Sequence, residues 1–376
     1  MRTIGKSAVT VSLLLAASAA GTASAEDAKP AGTAAPALSD ILTSSGITAT
    51  GYVDGTYSYV SASPPTGSSV DTNTFALNQA SLTLGYLPTT GFGALVNAVA
   101  GTEAGNGCYA PGYLPCGTAG STSSFNLLQA YVQYVDGKST VLLGKFTTLA
   151  GAEVAAPTGD VNVTRSLLFW YMEPVTHVGA RLTYAASGKV SVTVGANNGW
   201  NVDGTSAKGG KTAEVGVTLT ASKTFSLTAA GYYGDFDFQF DPVTVVIGKR
   251  ALIDVVGTWT ATPALTVIVN TDWDQQGNAG GTGTGSASWY GVAGYLNYAI
   301  NSAWRTSFRA EFMEDKDGFA TGTGVKTKVD EGTLTFGYMP SKNFEFRFEG
   351  RYDTYKPDSG GDVKLTQAWL QALYKF

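Results

Sequence analysis

The feature that most constrains this chain is a two-residue alternation of apolar and polar side chains, repeated in segments of roughly ten residues. In one segment, Ala80, Leu82, Leu84 and Tyr86 share a face, while Gln, Ser, Thr and Gly occupy the other. This period places successive side chains on opposite faces of a β-strand. About 16 such segments follow one another from residue 47 to the C-terminus, and they predict an all-β protein.

The connections between these segments alternate in length. Tight turns such as Pro88-Thr89 and Asp136-Gly137 are separated by longer connections rich in Gly, Ser, Thr and Asp. Short turns at one end and long loops at the other are typical of outer-membrane barrels. Within lipid, strands can satisfy their backbone groups only by closing into a barrel. The sequence therefore predicts a transmembrane antiparallel up-and-down β-barrel of about 16 strands, wide enough for an aqueous lumen.

Aromatic residues collect on the apolar face close to the tight turns and the C-terminus. They are Tyr86, Tyr134, Tyr184, Trp259, Tyr298, Trp304, Tyr338, Phe344 and Tyr374. Amphipathic rings favour the interface between membrane and water. These residues therefore predict an aromatic girdle around one rim of the barrel.

The first 25 residues have the layout of a secretory signal peptide rather than of a buried helix. Arg2 and Lys6 precede an apolar stretch, and Ala23-Ser24-Ala25 supplies a small-residue cleavage site. The stretch is too short to span a bilayer as a helix, and no other run of about 18 apolar residues follows. We predict a signal peptide at residues 1–25, a periplasmic lead-in at 26–45, and a barrel at 46–376 that includes a long loop at 150–173.

Charged residues make up only 14% of the chain, against about a quarter in soluble domains. Side chains that face lipid carry charge only at high cost, so a lipid-covered surface accounts for the shortage. The formal net charge is −5, and the basic residues do not cluster. A nucleic-acid partner is therefore not expected.

The two cysteines, Cys108 and Cys116, lie in a segment rich in Gly and Pro. In an exported protein, two cysteines this close are expected to form a disulfide, with two free thiols as the alternative. They are not expected to hold a metal ion, because no histidine or further cysteine lies nearby. No cofactor is predicted.

Charged residues occupy the face opposite the apolar one on several predicted strands. Arg347 and Glu349, for example, alternate with Phe346 and Phe348. Charges facing lipid would cost several kcal/mol each near the midplane, so these rows are predicted to face the lumen. The alternative is the solvated face of a soluble sheet. The pore-lining candidates are Lys145, His177, Arg181, Arg250, Asp254, Arg305, Arg309, Glu311, Glu345, Arg347, Glu349 and Arg351.

The connection at 150–173 differs from the other loops. It carries Glu153, Asp160 and Arg165, followed by the apolar run 167–172. An apolar run is unfavourable on a solvated outer loop. One interpretation is that the loop folds into the barrel and forms the pore constriction with those three charges. The other is that the run extends strand six beyond the membrane.

Catalytic interpretations have little support in the sequence. A lipase-type site needs a Ser–His pair facing lipid, but the single histidine, His177, falls on the predicted lumen face. Asp272 and Asp274 could be imagined as protease-type paired acids, although loop carboxylates are more often simply solvated. We therefore predict that the chain is not an enzyme. An adhesin or structural barrel is the alternative to a pore, and a hydrolase is the less favoured one.

Several short motifs resemble the OmpL-like putative β-barrel porin family. They are Gly51-Tyr52-Val53-Asp54, Gly144-Lys145-Phe146 with Gly151-Ala152-Glu153, Arg165-Ser166, and the stretch from Pro174 to Arg181. The resemblance implies a porin in the outer membrane of a Gram-negative bacterium, in contact with lipid and lipopolysaccharide. It supplies no catalytic residue. The terminal Phe376 is similar to the signal that the barrel assembly machinery reads.

The expected cargo is small hydrophilic solutes or ions. The acidic balance predicts a weak cation preference, although the predicted lumen rows mix signs and a few residues at a constriction decide selectivity. A homotrimer is expected by analogy with general porins.

Overall fold

The structure, a computed structural model, describes residue 42 and residues 44–61, 73–104, 125–202, 209–239, 245–279 and 285–376. The strands are β1 Thr48–Val60, β2 Thr74–Tyr86, β3 Gly91–Ala100, β4 Phe125–Asp136, β5 Ser139–Thr147, β6 Thr176–Ala185, β7 Val190–Asn197, β8 Thr212–Thr220, β9 Phe225–Gln239, β10 Val245–Thr260, β11 Leu265–Gly277, β12 Ser286–Ala299, β13 Trp304–Asp315, β14 Thr327–Ser341, β15 Phe344–Pro357 and β16 Val363–Lys375. A helix, α1 (Leu167–Tyr171), lies between β5 and β6. The predicted signal peptide, most of the predicted lead-in and both cysteines lie outside the described residues.

The sixteen strands form one closed sheet. Each strand pairs antiparallel with the next in the chain, and β1 closes the barrel against β16. At this seam Tyr52 lies opposite Lys375, and Val60 lies opposite Gln367. Every strand therefore has a neighbour on both sides, which is the condition for crossing lipid. The predicted up-and-down barrel of about 16 strands is confirmed.

Alternating side chains divide the wall into an apolar outer face and a polar inner face. On β15, Phe346 and Phe348 are 40% and 46% exposed. Arg347 and Glu349, each of which follows one of these phenylalanines, are 2% and 5% exposed. A bilayer requires this arrangement, since charges on the lipid side are costly. Period-2 patterning in the sequence thus decides which side chains enter the lumen.

Aromatic rings form pairs on the outer face beside the short turns. The rings of Phe92 and Tyr134 on β3 and β4 have centroids 4.7 Å apart, and those of Trp304 and Tyr338 on β13 and β14 are 4.6 Å apart. Cross-strand aromatic pairs stabilise neighbouring strands, and their amphipathic rings suit the lipid interface. These rings lie at the rim where the girdle was predicted.

Two strands are longer than the sequence predicted. The alternation in the sequence predicts a ninth strand at 224–234 and a tenth at 249–261. In the structure Asp235 lies opposite Lys249 and the pairing continues outward to Gln239 and Val245. Gly234 therefore lies within β9 and not at its end. A Cβ there would lie 2.3 Å from a backbone atom of β8, so close strand approach explains this glycine.

Among the described residues, no helix has the length and apolar character needed to cross a bilayer.

Candidate pore constriction

Loop 3, the connection of residues 148–175 between β5 and β6, lies inside the barrel. The backbone N–H groups of Val163 and Thr164 donate to the Glu349 carboxylate at 2.6 and 2.9 Å. The N–H of Leu167 donates to the Glu311 carboxylate at 2.8 Å. Glu349 on β15 and Glu311 on β13 both face the lumen, so the barrel wall supplies the acceptors for these backbone N–H groups of the loop.

The same wall also supplies donors to the loop. The Arg309 guanidinium donates to the carbonyl oxygen of Thr164 at 2.7 Å, and the Arg351 guanidinium donates to that of Arg165 at 2.6 Å. Arg309 and Arg351 reach the same point because both lie opposite Thr333, one on each side of β14. Buried backbone groups outside a sheet need such partners. Strand register therefore fixes where loop 3 attaches.

Helix α1 holds the middle of loop 3 against β12 and β13. The hydroxyl of Ser166 caps the helix by accepting from the Phe169 N–H at 3.0 Å. Leu167 and Leu168 are almost completely buried, in an apolar cluster that includes Trp289. The apolar run thus forms a helix packed on the inner wall. The alternative prediction, that it extends strand six, is wrong, because a buried surface was available inside the barrel.

Loop 3 also contacts the opposite wall. Phe169 and Ala155 belong to a second apolar cluster that contains Val99 on β3 and Leu128 on β4. The side-chain amide of Gln79 on β2 donates to the Ala155 carbonyl oxygen at 3.0 Å. Since the loop is attached both to β2–β4 and to β12–β15, it crosses the lumen.

The three predicted constriction charges are buried within this loop network. Glu153 pairs with Arg309 on the wall at 2.8 Å, and Asp160 pairs with Arg165 within the loop at 3.1 Å. Burial raises the pKa of Asp160 to about 7, more than the neighbouring Arg165 lowers it. These groups form ion pairs within the loop and to β13, and their part in selectivity stays a prediction.

The pore-lining candidates near the short-turn end of β13 and β15 form an ion-pair row. Arg305 and Arg347 both donate to the Glu345 carboxylate, at 2.7 and 2.9 Å. Each arginine also reaches the loop: Arg305 donates to the Val161 carbonyl oxygen at 2.7 Å, and Arg347 to that of Asn162 at 3.2 Å. The row supports loop 3 from the short-turn side.

A second group of candidates lies on β5 and β6. Lys145 donates to the side chain of Asn126 at 3.1 Å. Arg181 forms a 2.7 Å ion pair with Glu214 on β8. His177 is fully buried and its ring stacks on that of Tyr232 at 4.9 Å between centroids. A histidine in this position has no access to a lipid substrate, which argues against the lipase-type interpretation.

Arg250 on β10 is surrounded by aromatic rings. Its guanidinium carbon lies 3.8 Å from the Phe236 ring centroid, 4.9 Å from that of Trp200 and 5.2 Å from that of Trp289. Its Nε donates to the Gln276 side chain at 2.9 Å. The cation is therefore held by cation–π contacts at the outer side of loop 3.

Three carboxylates meet where loop 3 returns to the wall. Glu173 of the loop, Asp254 of β10 and Asp272 of β11 each have a carboxylate oxygen within 4.8 Å of the other two. Burial, reinforced by the neighbouring Asp254, raises the pKa of Glu173 well above its usual value. Asp254 was among the pore-lining candidates, and the structure adds the other two.

A cavity of about 430 Å³ lies between loop 3 and the wall formed by β1–β5. Its lining includes Tyr52, Thr83, Asn97 and Gln129 from the wall and Thr158 from the loop. Several lining residues, such as Thr83, lie toward the short-turn end of their strands. The cavity therefore extends toward the short-turn side of the loop.

The family model described as putative beta-barrel porin-2, OmpL-like, matches residues 46–376. The chain belongs to this family. A comparison with curated proteins finds no match. Family and barrel together identify a porin of the Gram-negative outer membrane, the class of protein that forms passive diffusion channels.

Solved structures with the same architecture include three bacterial proteins. The outer membrane channel DcaP of Acinetobacter baumannii has a TM-score of 0.59 and 15% identity, over 88% of this porin and 97% of that chain. In-vitro folded OmpT of Vibrio cholerae has a TM-score of 0.62 and 11% identity, over 88% and 97%. OprB of Pseudomonas putida has a TM-score of 0.62 and 12% identity, over 90% and 96%. At these identities the likeness establishes the fold.

Sequence reasoning missed residues that hold loop 3. Glu331 on β14 lies 3.2 Å from Arg309. It faces inward by the period of its strand, so alternation alone could have found it. Asp353 on β15 was predicted on the lumen face of its strand, and it lies 2.7 Å from Arg351. Glu173 carries no such signal, because it lies in an irregular loop.

Proposed function

We propose that this porin lets small hydrophilic solutes and ions cross the outer membrane by passive diffusion, and that loop 3 narrows the pore. The observation that carries the proposal is the attachment of loop 3 to both sides of the lumen. On one side it bonds to Glu349 on β15, and on the other it bonds to Gln79 on β2. A loop held in this way reduces the open cross-section to the space beside it.

The proposed route passes the loop on the side of β1–β5. The cavity of about 430 Å³ lies there, and its lining includes hydroxyl and amide side chains such as Thr83 and Asn97 beside apolar ones such as Leu128. On the other side, the wall charges are engaged by the loop, as Arg309 and Arg351 are. Neutral polar groups along the route suit small hydrophilic solutes, because they can replace water contacts without binding tightly.

A weak cation preference is part of the proposal. Among the described residues, buried carboxylates outnumber buried arginine and lysine side chains, and the whole chain is acidic. The inner wall then attracts cations more than anions. A reversal potential measured across a salt gradient tests this preference, and a potential that favours anions would contradict it.

No catalytic role is included in the proposal. His177 is fully buried against Tyr232, and Asp272 and Asp274 are buried in the wall. Neither arrangement opens to the lipid or to an outer surface where a polymeric substrate would bind.

Export and assembly complete the proposal. A signal peptide at 1–25 would be cleaved, and Phe376 would be read by the barrel assembly machinery. Phe376 lies at the seam, where its N–H donates to the Gly51 carbonyl oxygen at 2.9 Å.

Lipid and lipopolysaccharide would cover the apolar outer face. OmpT of Vibrio cholerae has been solved in a trimer form, and we propose a homotrimer here too.

Conductance across a planar bilayer tests the pore and its constriction together. The wild-type protein is expected to give discrete current steps. Deletion of residues 155–164 removes the attachment of Ala155 to Gln79, the attachments of Val163 and Thr164 to Glu349, and the segment between them. It is expected to enlarge the steps. Deletion of residues 359–361, which are exposed between β15 and β16, is the control and is expected to leave the steps unchanged.

Two results would contradict the proposal. Steps of unchanged size in the folded 155–164 deletion would show that loop 3 is not the constriction. A complete lack of steps in the folded wild-type protein would favour the adhesin or structural alternative. Folding of each variant is checked by its shifted mobility in unheated samples on a gel.

A further inference from the structure

We propose that Glu173, Asp254 and Asp272 bind a divalent cation that fastens the end of loop 3 to the barrel wall. The three side chains come from three separate segments, loop 3, β10 and β11, and each has a carboxylate oxygen within 4.8 Å of the other two. Asp254 and Asp272 meet because they lie directly opposite each other in adjacent strands.

Each carboxylate has one oxygen with no hydrogen-bond partner among the described residues. These atoms are Oε1 of Glu173, Oδ1 of Asp254 and Oδ2 of Asp272. The side chains are only 2%, 0% and 2% exposed. Burying even one carboxylate without a partner is costly, and three together repel one another. A cation between the three free oxygens would remove both costs.

The other oxygens of the two aspartates are held in place. The side-chain amide of Asn270 donates to Asp254 Oδ2 at 2.7 Å and to Asp272 Oδ1 at 3.0 Å. The side-chain oxygen Oδ1 of Asn270 in turn accepts from the N–H of Ala152 in loop 3 at 2.7 Å. Hydrogen bonds of this kind orient the ligands of metal sites. One asparagine therefore positions two ligands and ties them to the start of the loop.

The loop backbone is shaped to admit Glu173. Gly151 has a φ of +94°, and a Cβ at this position would lie 2.0 Å from Glu173 Oε2. Any other residue would displace the carboxylate. The two ends of loop 3 thus converge on the acidic cluster, Gly151 and Ala152 from the start and Glu173 from the end.

The neighbouring positive charge is engaged elsewhere. The Arg250 guanidinium lies among the rings of Phe236 and Trp200, and its Nε donates to Gln276. Among the described residues, neither Asp254 nor Asp272 forms an ion pair with an arginine, lysine or histidine within 4.0 Å. A diffusible cation is therefore the group that fits between these carboxylates.

The ligand set selects the kind of cation. All ligands are carboxylate oxygens, which suit hard cations such as Ca²⁺ and Mg²⁺ and not metals that prefer imidazole or thiolate. Water would supply the remaining positions, as it does in many sites of this kind. The cation would join the loop to β10 and β11, where Ala152 and Glu173 approach the wall.

Binding is measured on the refolded full barrel in detergent, by equilibrium dialysis with Ca²⁺ after treatment with EDTA. We expect one bound Ca²⁺ per chain and a lower melting temperature after the cation is removed, because a ligand of the folded state stabilises it. E173Q and D272N keep the size of the side chains and are expected to weaken binding at least tenfold. D330N, at an exposed carboxylate paired with Lys356, is the control and should bind like the wild type.

The metal-free proteins give a second readout. If the cation relieves repulsion between the carboxylates, metal-free D272N should have a higher melting temperature than metal-free wild type. The melting temperature of D272N should also not change when EDTA is added. Binding of Mg²⁺ in place of Ca²⁺ would support the site. Equal binding in E173Q, D272N and wild type, or no bound divalent cation in folded wild type at millimolar concentration, would overturn it. Because the readout is binding, the result does not depend on whether the barrel conducts.

Discussion

At the scale of single residues, loop 3 is held mainly by charged side chains that bond to backbone groups. Glu349 shows this most clearly, since it accepts from the N–H groups of Val163 and Thr164 and from the hydroxyls of Thr164 and Thr335. Hydrogen bonds to a charged group stabilise by about 1.5–3 kcal/mol each. One carboxylate can therefore decide whether this part of the loop stays against the wall.

Glu349→Gln tests that role. The amide keeps the shape but turns one acceptor into a donor facing backbone N–H groups, so we expect a loss of about 1–3 kcal/mol in local stability. Hydrogen exchange should become faster at the amides of Val163 and Thr164. The matched control is Glu314→Gln, a carboxylate on β13 whose partners are Lys326 and Lys328. Equal exchange in both variants would contradict the assigned role.

At the scale of elements, α1 packs closely against β12 because the strand has a glycine, Gly291, at the point of contact. A Cβ on Gly291 would lie 2.9 Å from a methyl carbon of Leu168 and 3.1 Å from the sulfur of Met172. The helix can lie against the strand only because this position is glycine. The residue at position 291 of β12 therefore affects where α1, and with it loop 3, lies in the lumen.

Gly291→Val should push α1 from the wall. Overpacking of this kind costs about 1–3 kcal/mol, and the displaced helix should change single-channel conductance or make it noisier. Gly332→Val on β14 is the control, because a Cβ there meets no atom within 4 Å. Identical current traces from the two folded variants would show that the helix does not depend on this fit.

The elements also show what the sequence could predict. Alternation correctly predicted the sixteen strands. It also predicted that Arg347 faces the lumen and Phe348 the lipid, because the side-chain period of a strand depends on local geometry alone. The helix α1 was not predicted, since five residues are too few for a helical period. The acidic cluster was not predicted either, because Glu173 reaches Asp254 only through the path of the folded loop.

At the scale of the whole molecule, closure depends on the seam between β1 and β16. Gly51 and Phe376 exchange two backbone hydrogen bonds of 3.0 and 2.9 Å. A Cβ on Gly51 would lie 2.5 Å from the Phe376 ring and from the Ser81 carbonyl oxygen. The start and end of the barrel are therefore packed so closely that a methyl group does not fit.

Gly51→Ala should impair closure. We expect a smaller fraction of folded barrel after refolding and a loss of about 1–3 kcal/mol in those molecules that close. The heat-dependent shift in gel mobility measures the folded fraction. Gly350→Ala on β15, where a Cβ meets no atom within 4 Å, is expected to refold like the wild type. Normal refolding of Gly51→Ala would show that the seam tolerates a side chain.

The attachment of loop 3 to distant strands has a consequence for the order of folding. The loop's bonds to β13 and β15 join residues whose sequence separation lies between 144 and 187. Contacts between such distant segments form slowly, because the chain must first close a long loop. The wall can assemble strand by strand, whereas the bonds to Glu349 and Arg351 must wait for the last strands. A newly inserted barrel is therefore expected to begin as a wide, leaky tube and to acquire its sieving limit only in a final, slower step.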